Sequence, residues 1–277
     1  MEGTMNLTTQ AKKRLPRPVK AVLRPLYRKG YDIFSPTYVL DKKLLSDTME
    51  YFDLTKDEVI AIAKARNKLN AILWKAMNPT TEQEIRRFHE IAPFFVIGLQ
   101  YQHARKDQRK FRAEVVNIAS GDVLDYGGGV GDLCLKLAEK GLNVTFGDVS
   151  GVSMEFAKWL FQKRGYDIKV VDLEKEALSK QYDTIICISV IQHIPQPEPV
   201  LEQIANSLRK GGKLIITDLH GWEHPGYPMD FKIEIDTEGL LESFGLVKTN
   251  KDWLWVKTDG EVPVERELAG KNRMLGK

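Results

Sequence analysis

Three aspartates each close a short apolar run: Asp125 in VLDYGGGVGD, Asp148 in NVTFGD and Asp172 in IKVVDL. A carboxylate at the end of a buried strand can accept hydrogen bonds from a ligand or balance a cation. Behind Asp125 come Gly127, Gly129 and Gly131, a turn that lets the backbone approach a nucleoside. The spacing is GxGxG. The dinucleotide fingerprint is GxGxxG, and a P-loop ends in Gly-Lys-Ser/Thr, where this turn has Val130 and Asp132. Asp125 would repel a pyrophosphate, but it suits a ligand carrying an ammonium or sulfonium. Asp148, 21 residues after Gly127, can accept from two ribose hydroxyls, and Asp172 with Leu173 can take an adenine amino group. Asp125 could instead cap its turn, and Asp148 and Asp172 could cap loops. Acids at three successive strand ends favour the ligand reading.

These residues need a frame. From about residue 120, β-rich runs (DVLDYG, NVTFGD, IKVVDL, DTIICIS, KLIITDL) alternate with helical patterns at 131–140, 152–164, roughly 174–180 and 197–210. Strand–helix alternation with continuous apolar strands predicts a parallel sheet covered on both faces. LVKTN and DWLWVKT then predict a closing hairpin-like pair. The fold class expected is α/β, a doubly wound and mostly parallel seven-stranded sheet, with an N-terminal all-helical region. Residues 1–112 are read as that helical region and 113–277 as the ligand-binding domain. Thr55 with Glu58, and Thr81 with Glu84, have capping-box spacing. Val59, Ile62, Ala63, Leu69, Ile72, Leu73 and Ala76 recur at helical spacing, and Pro93 can open a further helix.

Composition sets outer limits. The 277 residues are 43% hydrophobic and 29% charged, ordinary for a soluble globular chain. Neither a signal peptide nor a run of membrane-spanning length is evident. Two cysteines, Cys134 and Cys187, lie in apolar stretches and read as reduced core thiols, so a cytoplasmic setting is expected. Net charge is +3, but residues 11–30 hold eight basic side chains and no acid, interleaved with apolar ones. That arm could pack on its own domain, touch an anionic membrane surface or meet nucleic acid.

In order and spacing, VLDYGGGVGD, VTFGD, VVDL, YDTIICISVIQHIP and LRKGGKLIITD resemble the class I S-adenosylmethionine-dependent methyltransferases, of the group acting on small molecules. The resemblance covers about residues 120 to 257. It implies a Rossmann-like sheet and S-adenosyl-L-methionine as cofactor. Asp125, Gly127, Gly129 and Gly131 would face the methionine portion and Asp148 the ribose. Val149 would flank the adenine, Asp172 and Leu173 would meet its edge, and Ser189 would lie beside the cofactor. Gly128 fits the small residue usual after the first glycine, whereas Tyr126 replaces a smaller or apolar one.

Methyl transfer needs an aligned nucleophile and, where it carries a proton, a base. The chain has five histidines. His193 follows the fourth strand, and His220 and His224 follow the fifth in DLHGWEHPGYPMDF, which also carries Trp222, Glu223, Tyr227 and Asp230. His193, His220 and His224 are the expected catalytic or substrate-orienting residues. His89 is expected in plain packing, and His103 in packing or as a lid over the cofactor. His220, Glu223 and His224 have zinc- or iron-binding chemistry, but no metal is expected. The [DNS]PP[YF] motif of exocyclic-amine methylation is absent, with SVIQHIP in its place, so nucleic acid is disfavoured as acceptor. The expected function is methylation of a small-molecule or lipid-like, amphiphilic acceptor, with peripheral membrane contact through residues 11–30. The alternatives are an RNA methyltransferase using the basic arm, a catalytically silent binding protein on the same fold, and a nicotinamide dehydrogenase, which the glycine spacing and Asp125 disfavour.

Overall fold

A computed structural model describes residues 41–178, 180–221 and 227–258. The basic arm at 11–30, Glu223 and His224 lie outside the described residues. The chain opens with helices α1 (Lys42–Phe52), α2 (Lys56–Met77), α3 (Glu82–Ile91), α4 (Pro93–His103) and α5 (Lys106–Ile118). Both expected capping boxes form. The Glu58 amide donates to Thr55 Oγ1 at 3.3 Å and the Thr55 amide to Glu58 Oε2 at 2.8 Å, and Thr81 with Glu84 repeats the exchange. Each box satisfies two amides that a helix start leaves without partners. Pro93 opens α4 as its fixed φ predicts. Of the apolar series on α2, Ile72 departs from the pattern and is 52% exposed.

The second part runs β1 (Asp122–Tyr126), α6 (Asp132–Glu139), β2 (Asn143–Asp148), α7 (Val152–Arg164), β3 (Lys169–Asp172), β4 (Tyr182–Cys187), α8 (Glu198–Asn206), β5 (Leu208–Ile216), α9 (Thr237–Ser243), β6 (Leu246–Lys248) and β7 (Leu254–Lys257). The seven strands lie in the order β3-β2-β1-β4-β5-β7-β6. All pairs are parallel except those of β7, which is antiparallel to β5 and β6. The expected closing pair is therefore β6 with β7.

Alternation along each strand sorts the core to two faces. Val123, Ile186 and Ile215 pack with Val115 of α5, Leu133 and Leu137 of α6 and Phe161 of α7. Leu124, Ile185 and Leu214 pack with Leu201 and Ile204 of α8 and Leu241 of α9. The strands read as continuous apolar runs because both faces are covered.

Three sequence expectations shift. The described residues of 174–180 form turns and bends, not a helix. The helix expected over 197–210 stops at Asn206, because Leu208 already pairs with Tyr182 in the sheet. Helix α5 runs across the 112/113 boundary, and its Val115 belongs to the core under the sheet. The helical region itself is anchored on α7: Leu44, Phe52, Val59, Ile62 and Val96 share a core with Phe156 and Leu160. Among the described residues no helix is long and apolar enough to cross a membrane.

Candidate active site

The carboxyl ends of β1, β2 and β4 open into a cavity of about 520 Å³ roofed by α3, α4 and the start of α5. A crevice at strand carboxyl ends is where open α/β sheets hold ligands. Of the residues expected from sequence, Asp125, Gly127, Gly129, Asp148, Val149, Leu173, Ser189 and His193 line it.

Asp125 is 4% exposed at the end of β1. Its Oδ2 accepts from the Cys134 thiol at 3.2 Å, which gives that core cysteine a polar role. Burial pushes the Asp125 carboxyl up to about 6. The glycine turn is wired internally. The amides of Gly127 and Gly128 donate to the Gly147 carbonyl at 2.8 and 3.1 Å, that of Gly131 to the Gly128 carbonyl at 3.0 Å, and that of Gly129 to Asp148 Oδ2 at 2.7 Å. A phosphate cradle needs such amides free; here they are committed to the protein. Gly127 has φ 71, and a Cβ there would lie 2.4 Å from Val190, so only glycine fits. Gly131 does not line the cavity. It stands at the start of α6 with φ 73 and lets Phe161 approach, so its contribution is to helix packing.

Asp148 accepts a second amide, that of Val149, at 2.7 Å. Burial still dominates and lifts its carboxyl to about 7, with Asp125 and Asp172 adding to the rise. Asp172 does not reach the cavity. Lys175 Nζ at 2.7 Å, the Glu174 amide at 3.2 Å and the Ser150 hydroxyl hold its carboxylate in the turn after β3. Leu173 and Glu174 line the wall instead, and the sequence reading did not single out Glu174. Ser189 adopts φ 54, a left-handed backbone that a non-glycine residue rarely holds. Its amide donates to Thr217 Oγ1 at 3.0 Å and its hydroxyl to Asp218 Oδ2 at 2.8 Å, tying the ends of β4 and β5 together.

Two further side chains come from helices ahead of the sheet. Arg112 is buried on α5 and His103 ends α4, and both line the cavity. They share Asp132, whose carboxylate lies 2.6 Å from the Arg112 guanidinium and 3.2 Å from His103 Nδ1. Burial opposes ionisation of Asp132, but Arg112 and then His103 overcome it and hold the carboxyl well below its ordinary range. His103 falls below its ordinary value through burial first and Arg112 second. Nε of Arg112 is buried without a hydrogen-bond partner, a cationic donor beside Asp125. No sequence motif marked Arg112. It stands midway along α5 among other charged residues, so its burial carried no signal.

The histidines divide. His193 sits on a 3-10 turn after β4, and its Nδ1 is 3.3 Å from the Met229 carbonyl. A carbonyl only accepts, so Nδ1 carries the hydrogen and Nε2 has the lone pair. Oδ1 of Asp230 stands 3.0 Å from the same Nδ1, in ion-pair range but off the line of a hydrogen bond. His89, expected in plain packing, lines the same cavity, with its ring centroid 5.2 Å from that of His193. Burial, and secondarily His193, drives His89 down to about 3, so it stays neutral. His220 lies elsewhere. Its side chain is 75% exposed, 3.9 Å from Glu238. The left-handed residues Asp218 and Gly221 flank it, and its carbonyl accepts from the Ile233 amide, which turns the side chain outward. His220 is therefore outside the cavity it was expected to serve. His224 lies outside the described residues. Among those residues no cluster has metal-ligand composition and spacing.

A family profile described as a methyltransferase domain matches residues 124–214. The ubiquinone biosynthesis O-methyltransferase of Stutzerimonas stutzeri (strain A1501) is 24% identical over 143 residues, 50% of this chain and 56% of the relative. That of Nitrosospira multiformis is 27% identical over 157 residues, 55% of this chain and 59% of the relative. The chain thus spans about half the length of the curated relatives it matches. Among solved structures, phosphoethanolamine N-methyltransferase 2 of Haemonchus contortus, in complex with S-adenosyl-L-methionine, is 20% identical over 59% of this chain and 44% of that one, with a TM-score of 0.46.

Proposed function

We propose that this chain, whose residues 124–214 match a methyltransferase-domain profile, is a class I S-adenosylmethionine-dependent methyltransferase that transfers the sulfonium methyl group to a hydroxyl of a small, largely apolar acceptor. The observation that carries this reading is the meeting, in one cavity, of the buried acids Asp125 and Asp148 with His193, whose Nε2 keeps the lone pair and lies 3.5 Å from Gln192 Nε2.

The site fits the cofactor on two counts. The orphaned cationic Nε of Arg112 beside the buried Asp125 suits the carboxylate and ammonium of an amino acid. The bend at Gly127 leaves no room for a side chain, so the backbone itself forms that part of the wall. Asp148 would take the ribose hydroxyls, with Val149 and Leu173 on either side of the adenine and Glu174 at its edge. When bound, S-adenosylmethionine supplies a methyl carbon whose bond to positively charged sulfur breaks as the acceptor oxygen attacks. His193 Nε2 takes the hydroxyl proton, and Ile85, Phe95, Leu99, Ile194 and Val200 shape an apolar acceptor space. Base catalysis of this kind contributes roughly 10²–10⁴-fold.

An amphiphilic acceptor agrees with those walls. It also agrees with the basic, apolar-interleaved arm at 11–30, which is proposed to touch anionic lipid. Cosedimentation with phosphatidylglycerol vesicles, with and without residues 1–30, tests that contact. The function is tested with labelled methyl donor and a panel of phenols, catechols and amines, short- and long-chained, followed by mass spectrometry. Transfer to oxygen is expected. Transfer only to nitrogen removes the hydroxyl assignment, and binding of a nicotinamide dinucleotide in place of the methyl donor overturns the whole reading.

A further inference from the structure

We infer that Asp230 is a positioning residue for His193. Its buried carboxylate helps hold the ring at its Nδ1 edge and stabilises the imidazolium formed when Nε2 takes a proton. The inference rests on reading His193 as the base.

The geometry is specific. Asp230 Oδ1 is 3.0 Å from His193 Nδ1, and the Asp230 side chain is 5% exposed against 24% for His193. The chain around Asp230 is clamped where it must be. The Phe231 amide donates to the Gln192 carbonyl at 2.7 Å, and the Asp230 amide donates to the Tyr227 carbonyl at 3.1 Å. Carboxylate and imidazole are thus brought together by adjacent stretches of backbone.

The resting ring directs Nδ1–H toward the Met229 carbonyl, with the carboxylate beside that line. Protonation of Nε2 places positive charge on the ring. A carboxylate at ion-pair distance in a water-poor setting then counts for far more than a neutral carbonyl. Among the described residues, His89 on α3 also faces the ring, at 5.2 Å between centroids. It stays neutral and adds no charge, while Phe95 on α4 presents an edge at 6.1 Å. Asp230 is therefore the carboxylate placed to answer that charge.

The test needs no acceptor. Full-length protein with labelled histidine is titrated by NMR, and the His193 signals are assigned by comparison with His193→Gln. The neutral wild-type ring should be the Nδ1–H tautomer, and Asp230→Asn should lower the His193 pKa by about one unit, a tenfold loss of proton affinity. An Nε2–H tautomer in the wild type overturns the inference even if Asp230→Asn fails to fold. So does a His193 pKa that stays put in a folded Asp230→Asn. Methyl transfer is judged separately by the labelled-donor assay, so it can stand where this inference falls.

Discussion

The Gly129 amide donates to Oδ2 of Asp148 at 2.7 Å, so the glycine turn and the acid of the second strand form one hydrogen-bonded unit. Asp148→Asn removes the charge proposed to receive the ribose and turns one of the two oxygens that accept from Gly129 and Val149 into a donor. Hydrogen bonds to charged groups contribute about 1.5–3 kcal/mol. Cofactor affinity should fall about tenfold to a hundredfold by titration calorimetry, with the circular dichroism spectrum unchanged. An unaltered dissociation constant would remove Asp148 from the cofactor site.

Cofactor binding should release protons near neutral pH. Burial raises Asp125 to about 6 and Asp148 to about 7 in the free protein. A ligand that bonds to the carboxylates favours their ionised forms, so affinity should climb from pH 5.5 to about pH 8 and then level off. The sign for folding is opposite. With both pKa values above the ordinary 3.8, the native state holds protons that the unfolded chain has lost. These two groups therefore make the ligand-free protein less stable as pH rises from about 4 to 7. Binding enthalpies at pH 6.5 in buffers of different ionisation heat measure the release, and equal enthalpies in all buffers would contradict it.

His193 and His220 should behave oppositely on substitution. His193→Gln removes the lone pair facing the cavity and should cut turnover by roughly 10²–10⁴ while the cofactor still binds. His220→Ala changes a side chain that is 75% exposed and should leave turnover within about twofold. Equal losses in both variants would mean that the chain after β5 approaches the acceptor by another route.

Arg112→Met should weaken both fold and cofactor affinity. It leaves Asp132 buried with His103 as its remaining ionisable neighbour in the pair of contacts described. Removing one partner of a buried ion pair costs about 3–5 kcal/mol. Urea unfolding and cofactor titration of the same preparation read the two effects. Full affinity in a destabilised but folded variant would restrict Arg112 to a structural role.

The sheet was legible because its determinants are local and repetitive. Apolar runs of strand length, glycine punctuation and the Thr55 and Thr81 capping boxes act over a few residues, and each formed as its spacing implied. The helix expected over 174–180 did not form: Asp172 and Lys175 close a turn there. The same turn holds Asp172: its place at a strand end is readable in the chain order, whereas the claim of Lys175 on its carboxylate follows from how the turn folds.

By itself, then, the sequence determined the strand–helix frame and the strand-end positions of Asp125, Asp148 and His193, which line one cavity, since strand ends follow from chain order. Tertiary structure alone decided what meets across long separations. Arg112 and His103 reach Asp132 from helices ahead of the sheet, and His89 lies beside His193. Asp230 comes to His193 while His220, in the same loop, turns away. Such pairings depend on how helices pack over the sheet and which way a left-handed turn points a side chain, and neither leaves a period in the sequence.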